Sequence, residues 1–197
     1  MLTLFFMGGY MDTREFLHII HLAEKLKDVP RHSYTSSGRR ESVAEHCWRS
    51  MLMAFFMQDE FPGADMNRVM KMLLIHDLGE LFTGDIPAFD KTKEDEEREA
   101  RLLQEWVQAL PESYRQEMSK MYAEMEARST EEAKIYKAID NLEAVIQHNE
   151  ADLTGWLPIE YEMNVTYGQD KCAFSPYLAA FRQLVKQETL DKIGEKR

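Results

Sequence analysis

Apolar residues recur three and four positions apart through most of the chain, the spacing of one helical face. The clearest run is Met70, Leu73, Leu74, Leu78 and Leu81, with Ile75 and Phe82 widening the stripe. It predicts a largely buried helix ended by Gly84, with Asp85 and Pro87 in a rigid turn beyond it. The same spacing predicts a first helix over residues 14–27, capped by Asp12 or Thr13, with Phe16, Ile19, Ile20, Ala23 and Leu26 as its core stripe and Pro30 as its stop. Ser42-Val-Ala-Glu45 is a capping-box pattern that opens a helix to about residue 59, with Val43, Trp48, Met51, Leu52, Phe55 and Phe56 apolar. Leu102, Leu103, Trp106, Val107 and Leu110 form the buried end of a charge-dense segment. Pro111 starts a further helix to about residue 126. A capping pattern at Ser129-Thr-Glu-Glu132 opens a long helix to about residue 150, with Ile135, Ile139, Leu142, Val145 and Ile146 as its stripe. Ser175-Pro176 is an N-cap and first-turn pair for a closing helix. Residues 31–38 read as a polar loop and residues 151–173 as irregular. No stretch alternates as a strand does, so the expected fold class is all-α.

Composition narrows the choices. The chain has 197 residues of which 44% are hydrophobic, enough for one core, so residues 11–197 are expected to form a single domain. Residues 1–10 are apolar but lack a basic leader and a small-residue cleavage site; they read as an upstream start or a frayed terminus before Met11. A formal charge of −11 argues against a nucleic-acid polymer as partner, because the phosphate backbone calls for a basic surface. No run is long enough to span a membrane. The two cysteines, Cys47 and Cys172, make no disulfide framework, which fits a cytoplasmic location.

The chemistry stands out against the apolar pattern. His76, Asp77 and Glu80 are set into the most hydrophobic run, and buried ionisable groups call for partners or a metal. His46 falls in the first turn of its helix, beside Cys47, and Asp140 abuts the stripe of the long helix. Two imidazoles and two carboxylates suit a divalent transition metal such as manganese, iron, cobalt, nickel or zinc. Spacing alone does not pair them. Glu143 and Gln147 share the face of Asp140 and could orient ligands. His18 and His21 read as surface or packing residues, His148 as exposed, Lys91 as part of a solvated charge run, and Arg40 as a partner for Glu41 or Glu45.

The order His46 … His76-Asp77 … Asp140 resembles the signature of the HD-domain metal-dependent phosphohydrolase superfamily. Arg31, Arg40-Glu-Ser-Val-Ala-Glu-His46, His76-Asp-Leu-Gly-Glu80 and Gly84-Asp-Ile-Pro87 resemble its 5′-deoxynucleotidase branch, over roughly residues 14–150. The resemblance implies an HD-domain helical bundle in which His46, His76, Asp77 and Asp140 hold one divalent cation. It also implies that Glu80, with Asp77, acts on the nucleophilic water. Arg31 would orient the phosphate, and Asp85, Ile86, Pro87 and Ala88 would contact the nucleoside. The implied reaction is metal-dependent hydrolysis of a (deoxy)nucleoside 5′-monophosphate by a homodimer. Where the branch carries a tryptophan after the arginine, this chain has His32, with Tyr34 two residues on, which puts strict deoxyribose preference in question. Two competing readings are an alarmone or cyclic-nucleotide hydrolase with the same metal site, and a nucleotide-binding module without turnover.

Overall fold

The computed structural model describes residues 11–195; the apolar stretch at residues 1–10 lies outside the described residues. Local caps start the helices where the sequence puts polar residues ahead of apolar runs. Asp12 accepts from the Arg14 amide at 3.0 Å and opens α1 (Thr13–Glu24). A short antiparallel pair follows, β1 (Pro30–Tyr34) and β2 (Arg40–Ser42), joined by a turn in which Gly38 takes φ +83°. These strands correct the expected loop at residues 31–38. The turn bonds Thr35 N to Arg39 O (2.7 Å) and Gly38 N to Thr35 O (2.9 Å), closing a hairpin too short to show period-two alternation.

The capping box is present as its spacing demands. The Ser42 hydroxyl accepts from the Glu45 amide at 3.3 Å, and the Ser42 amide donates to Glu45 Oε2 at 2.9 Å, opening α2 (Val43–Phe56). Arg39, rather than Arg40, grips Glu45 through two bonds of 2.9 and 2.6 Å. Arg40 instead lies over the Tyr34 ring and donates to the Arg31 carbonyl.

The most apolar run is not one helix. It divides into α3 (Met66–Ile75) and α4 (Glu80–Thr83), with His76 to Gly79 in a turn between them. The cause is competition for carbonyls. His76 Nδ1 donates to Leu73 O at 2.8 Å and the Tyr122 hydroxyl to Ile75 O at 2.7 Å, while the backbone tightens to three-residue bonds, Leu78 N to Ile75 O at 3.2 Å and Glu80 N to Asp77 O at 3.1 Å.

Next come α5 (Lys93–Gln108), α6 (Glu112–Ala127) and the long α7 (Glu131–Glu150), capped by Thr130. Residues 151–173 are more regular than expected, holding α8 (Pro158–Thr166) and α9 (Gln169–Cys172) before α10 (Pro176–Gly194). Proline at the first position of α8 and Glu160 bonded to the Leu157 amide at 2.6 Å explain that helix, which the aromatic residues around it conceal.

The core lies where α3 and α7 cross, with α10 behind them. Val69, Met72 and Leu73 meet Ile135, Ile139 and Leu142, and Leu178 and Val185 close the far side. The expected stripe of α1 is a correction. Phe16 and Ile20 are 56% and 48% exposed, and α1 contains no buried residue; of that stripe only Leu26, in the turn that follows, is buried. Helical spacing marks an apolar face without saying what covers it.

Two expectations follow. Leu142→Ala removes a fully buried side chain at the centre and costs about 3 kcal/mol, lowering Tm by roughly 6–12 °C; a shift below about 2 °C in thermal denaturation would contradict this packing. The Glu45 carboxyl is held down at about 2, first by the Arg39 hydrogen bond and then by the Ser42 backbone and hydroxyl, against its partial burial. Its ordinary value is 4.5, so its stabilisation is complete above that pH and fades as pH falls towards 2. Glu45→Gln is therefore expected to lower Tm more at pH 7 than at pH 3, and an equal loss at both would contradict the ion pair.

Candidate metal and phosphate site

Three segments bring four donor atoms to one place. The capping box fixes the start of α2, so His46 points inward from its first turn with no exposed side-chain surface. The turn after α3 presents His76 and Asp77, and the middle of α7 presents Asp140. His46 Nε2 lies 3.2 Å from both His76 Nε2 and Asp140 Oδ1, and 3.7 Å from Asp77 Oδ2. His76 Nε2 lies 3.2 Å from Asp77 Oδ2 and 3.5 Å from Asp140 Oδ1. The 3.2–3.5 Å separations among His46, His76 and Asp140 are those of ligands about 2.1 Å from a common centre, and Asp77 lies beside the two imidazoles.

The outer nitrogen of each imidazole is already used. His46 Nδ1 bonds Glu143 Oε2 and His76 Nδ1 bonds the Leu73 carbonyl, which directs both Nε2 atoms at the same point. Lys137, one turn before Asp140, donates to its second oxygen at 2.7 Å, and its ammonium is held charged first of all by Asp140. Burial works against charging His46, but its bonds to Asp140 and Glu143 and the Glu143 charge raise its pKa nonetheless. Burial likewise opposes ionisation of Asp77, and His76 and His46 overcome it and hold the carboxyl well below the usual range.

Charge surrounds this point unevenly. Glu41, Asp77, Glu80, Asp85, Asp140 and Glu143 gather here, answered by Arg31 and Lys137 and, from the side, by Arg49. Mixed nitrogen and oxygen donors with excess negative charge fit a divalent cation.

Arg31 stands on β1 beside the donors. Its Nη1 is 3.6 Å from Asp77 Oδ2 and 4.0 Å from Asp85 Oδ1, and its Nε is 3.2 Å from Glu41 Oε2. Burial weakens its charge less than Asp77 and Asp85 strengthen it. Glu41 is itself oriented by the Ser33 hydroxyl at 3.1 Å. The strand is held against α7 by Gln147 Nε2, which donates to the Tyr34 carbonyl at 2.8 Å.

Glu80 opens α4, 6% exposed, with Oε2 lacking a partner among the described residues. Burial, then Asp77 and Asp85, push its carboxyl up to about 10. It does not sit one turn along a continuous helix from His76, as the spacing implied; the turn at His76 to Gly79 brings it to the site instead.

A cavity leads away from Arg31 and Asp85. His32, Pro87 and Ala88 line it, together with Phe89 and residues of α7 and α8, whereas Ile86 belongs to the same turn without lining the cavity. Among groups singled out from sequence, His18 and His21 are exposed and Lys91 pairs with Glu99 at 2.7 Å. Cys47 is buried with its sulfur 3.9 Å from His76 Nδ1, and it lies close enough to His76 and Asp77 to stand beside the donor cluster. His148, expected at the surface, is packed inward against Glu160 at 2.7 Å. Lys137, Glu160 and Asn164 went unnoticed in the sequence, and Tyr167 read there only as an aromatic residue of an irregular segment. Only Lys137 carried a signal there, its position one helical turn from Asp140.

The HD domain family model matches residues 23–180 of this chain. A 5′-deoxynucleotidase HDDC2 from Homo sapiens is 34% identical over 141 residues, spanning 70% of this chain and 68% of that protein. Among solved structures, a predicted metal-dependent phosphohydrolase from Magnetospirillum magnetotacticum MS-1 matches with a TM-score of 0.75 at 27% identity, covering 93% of this chain and 97% of that one. The cyanophage S-2L HD phosphohydrolase DatZ, bound to dA and one catalytic Zn2+ ion, shares the fold with a TM-score of 0.52 at 20% identity, over 96% of this chain and 98% of that one. A family match over most of its length, on the four-donor centre just described, establishes that this chain belongs to the HD domain family.

Proposed function

We propose that this protein is a metal-dependent 5′-nucleotidase that hydrolyses deoxynucleoside 5′-monophosphates to nucleoside and phosphate. The observation that carries the reading is the convergence of His46, His76, Asp77 and Asp140 beside a buried guanidinium, Arg31. The 5′-deoxynucleotidase name of relatives at about a third identity supports it.

His46, His76, Asp77 and Asp140 would hold one divalent cation. Manganese or cobalt is the expected occupant, with iron, nickel and zinc the other metals suited to such a donor set. When bound, such a cation neutralises phosphate charge and makes water more acidic. The rest falls to the chain's own groups. Arg31, fixed by Glu41 and facing Asp77, offers a planar fork to phosphate oxygens and sets the phosphorus for in-line attack. Burial and the Asp77 and Asp85 charges favour the neutral carboxyl at Glu80, so it acts as a base only where a cation held by the four ligands would offset them; the carboxylate then takes the proton from the attacking water, with Asp77 beside it. The new phosphorus–oxygen bond forms as the ester bond to the 5′ oxygen breaks, and that oxygen leaves as the nucleoside hydroxyl with the proton that Glu80 took from the water. Asp85, which accepts from the His32 amide, and the turn to Ala88 flank the nucleoside, with His32 beside them.

The polypeptide is expected to work as a homodimer. Trp48, Leu52, Phe55 and Phe56 recur along one side of α2 and are exposed, Phe56 by 75%, which suits an interface with a second copy. A cytoplasmic location fits two free, buried cysteines, and among the described residues no helix is long and apolar enough to cross a membrane.

Phosphate release from deoxynucleoside monophosphates is expected to vanish with chelator and return with manganese or cobalt. Asp77→Ala is expected to lose both metal and activity, and Glu80→Gln to keep its metal while kcat falls on the order of 10²–10⁴-fold. Turnover in chelator, or full activity in Glu80→Gln, would sink the mechanism. Light scattering should give about twice the 23.1 kDa chain mass, and Phe56→Asp should shift it to the monomer; a monomeric wild type disposes of the dimer.

A further inference from the structure

The cavity that begins at Arg31 and Asp85 ends on α8, at groups the proposed hydrolysis does not use. Asn164 lies there, 4% exposed, with its carboxamide Nδ2 unpartnered. Its backbone is pinned, since the Asn164 carbonyl accepts from Arg182 Nη2 at 2.7 Å. A buried amide donor without an acceptor is unfavourable, and such a group is retained where a ligand supplies the acceptor.

Beside it one carboxylate bonds His148 and faces His32, whose buried Nε2 has no hydrogen-bond partner among the described residues. Glu160 Oε1 lies 2.7 Å from His148 Nε2 and 3.1 Å from His32 Nε2, while Oε2 is committed to the Leu157 amide at 2.6 Å. His148 Nδ1 bonds the Ala144 carbonyl at 3.0 Å, so neither ring edge of His148 is free to turn. The two imidazoles stand nearly parallel, 28° apart with centroids at 6.2 Å, and Phe89 meets His32 edge-on at 5.5 Å. Val145, Met163 and Tyr167 complete the apolar wall. A flat aromatic lining with an unpartnered amide donor, and the unpartnered His32 Nε2 across from it, is what a heterocyclic base requires: stacking from the faces and hydrogen bonds at its edge.

We propose that this end of the cavity is a nucleobase-reading site. Asn164 Nδ2 donates to a ring nitrogen or carbonyl oxygen of the base, the base packs on the His32–His148 pair, and Glu160 positions the His148 ring. The inference rests on the nucleotidase reading for its ligand class. It gives His32 the role of base contact.

The test uses the full chain, wild type and Asn164→Asp, a near-isosteric change that replaces the donor with an acceptor. The kcat/KM values for the four deoxynucleoside 5′-monophosphates are compared with that for 2-deoxyribose 5-phosphate, which has no base. Calorimetry in parallel measures the binding of free deoxynucleosides. The wild type is expected to prefer at least one nucleotide over the base-free ester by tenfold or more, and Asn164→Asp to narrow that ratio at least fivefold and weaken the cognate nucleoside likewise. A wild-type ratio near one overturns the site without any variant, and so does an unchanged ratio in a folded Asn164→Asp. Should no monophosphate be hydrolysed, the nucleotidase reading falls, and nucleoside binding weakened in Asn164→Asp still sustains the base site. A second bound cation per chain that is lost in His148→Ala would make the histidine pair a metal site and overturn the proposal.

Discussion

Two imidazole nitrogens stand 3.2 Å apart with an oxygen of Asp77 and one of Asp140 each 3.2–3.7 Å from both, brought from three distant segments among carboxyl groups that repel. Left alone, that arrangement is unfavourable, because buried like charges raise each other's energy and each has lost its water. The surroundings offset it piece by piece. Lys137 neutralises one side of Asp140, Arg31 faces Asp77 and Asp85, Glu143 and the Leu73 carbonyl fix the imidazole rings, and the apolar crossing of α3 and α7 carries the segments that present the donors. The remaining negative charge is the part a divalent cation would complete. The site is thereby coupled to the fold, since ligands contributed by α2, the turn after α3 and α7 come together only once those elements have packed.

Much of this was legible along the chain because it was written in local chemistry. Ser42 and Glu45 announced their capping box, Ser175 and Pro176 the start of α10, and His76, Asp77 and Glu80 stood out as ionisable groups in an apolar run. Asp140 and Glu143 could be placed on one helix face by spacing alone. What stayed hidden was set by partners far away in sequence. Nothing near Glu160 foretells His32, 128 positions before it, and nothing near α3 foretells that Tyr122 will claim a carbonyl and help to break the helix. The stripe of α1 misled for the same reason: amphipathicity is local, and burial depends on what packs against it.

The break between α3 and α4 shows how a site departs from local preference. Leucine, isoleucine and methionine there favour one long helix, and the bonds from His76 and Tyr122 override them. The turn releases His76 and Asp77 from helical phase, so both reach the donor cluster, and it resets the phase so that Glu80 re-enters buried at the head of α4. Gly79 belongs to the same device: a side chain there would meet Glu99 at 2.7 Å, so a bare backbone lets α5 close over the turn.

Glu160 serves two masters. One oxygen satisfies the Leu157 amide at the first turn of α8, and the other bonds His148 and faces His32 on the wall of the cavity. An evolving lineage cannot alter that carboxylate to accept a new ligand without also loosening the helix that presents Asn164. The positions free to drift are those whose side chains do a single job, such as Phe89 on the opposite turn. Divergence in ligand preference among descendants of this chain is therefore channelled to one rim of the cavity, with the other rim held constant by the requirements of folding.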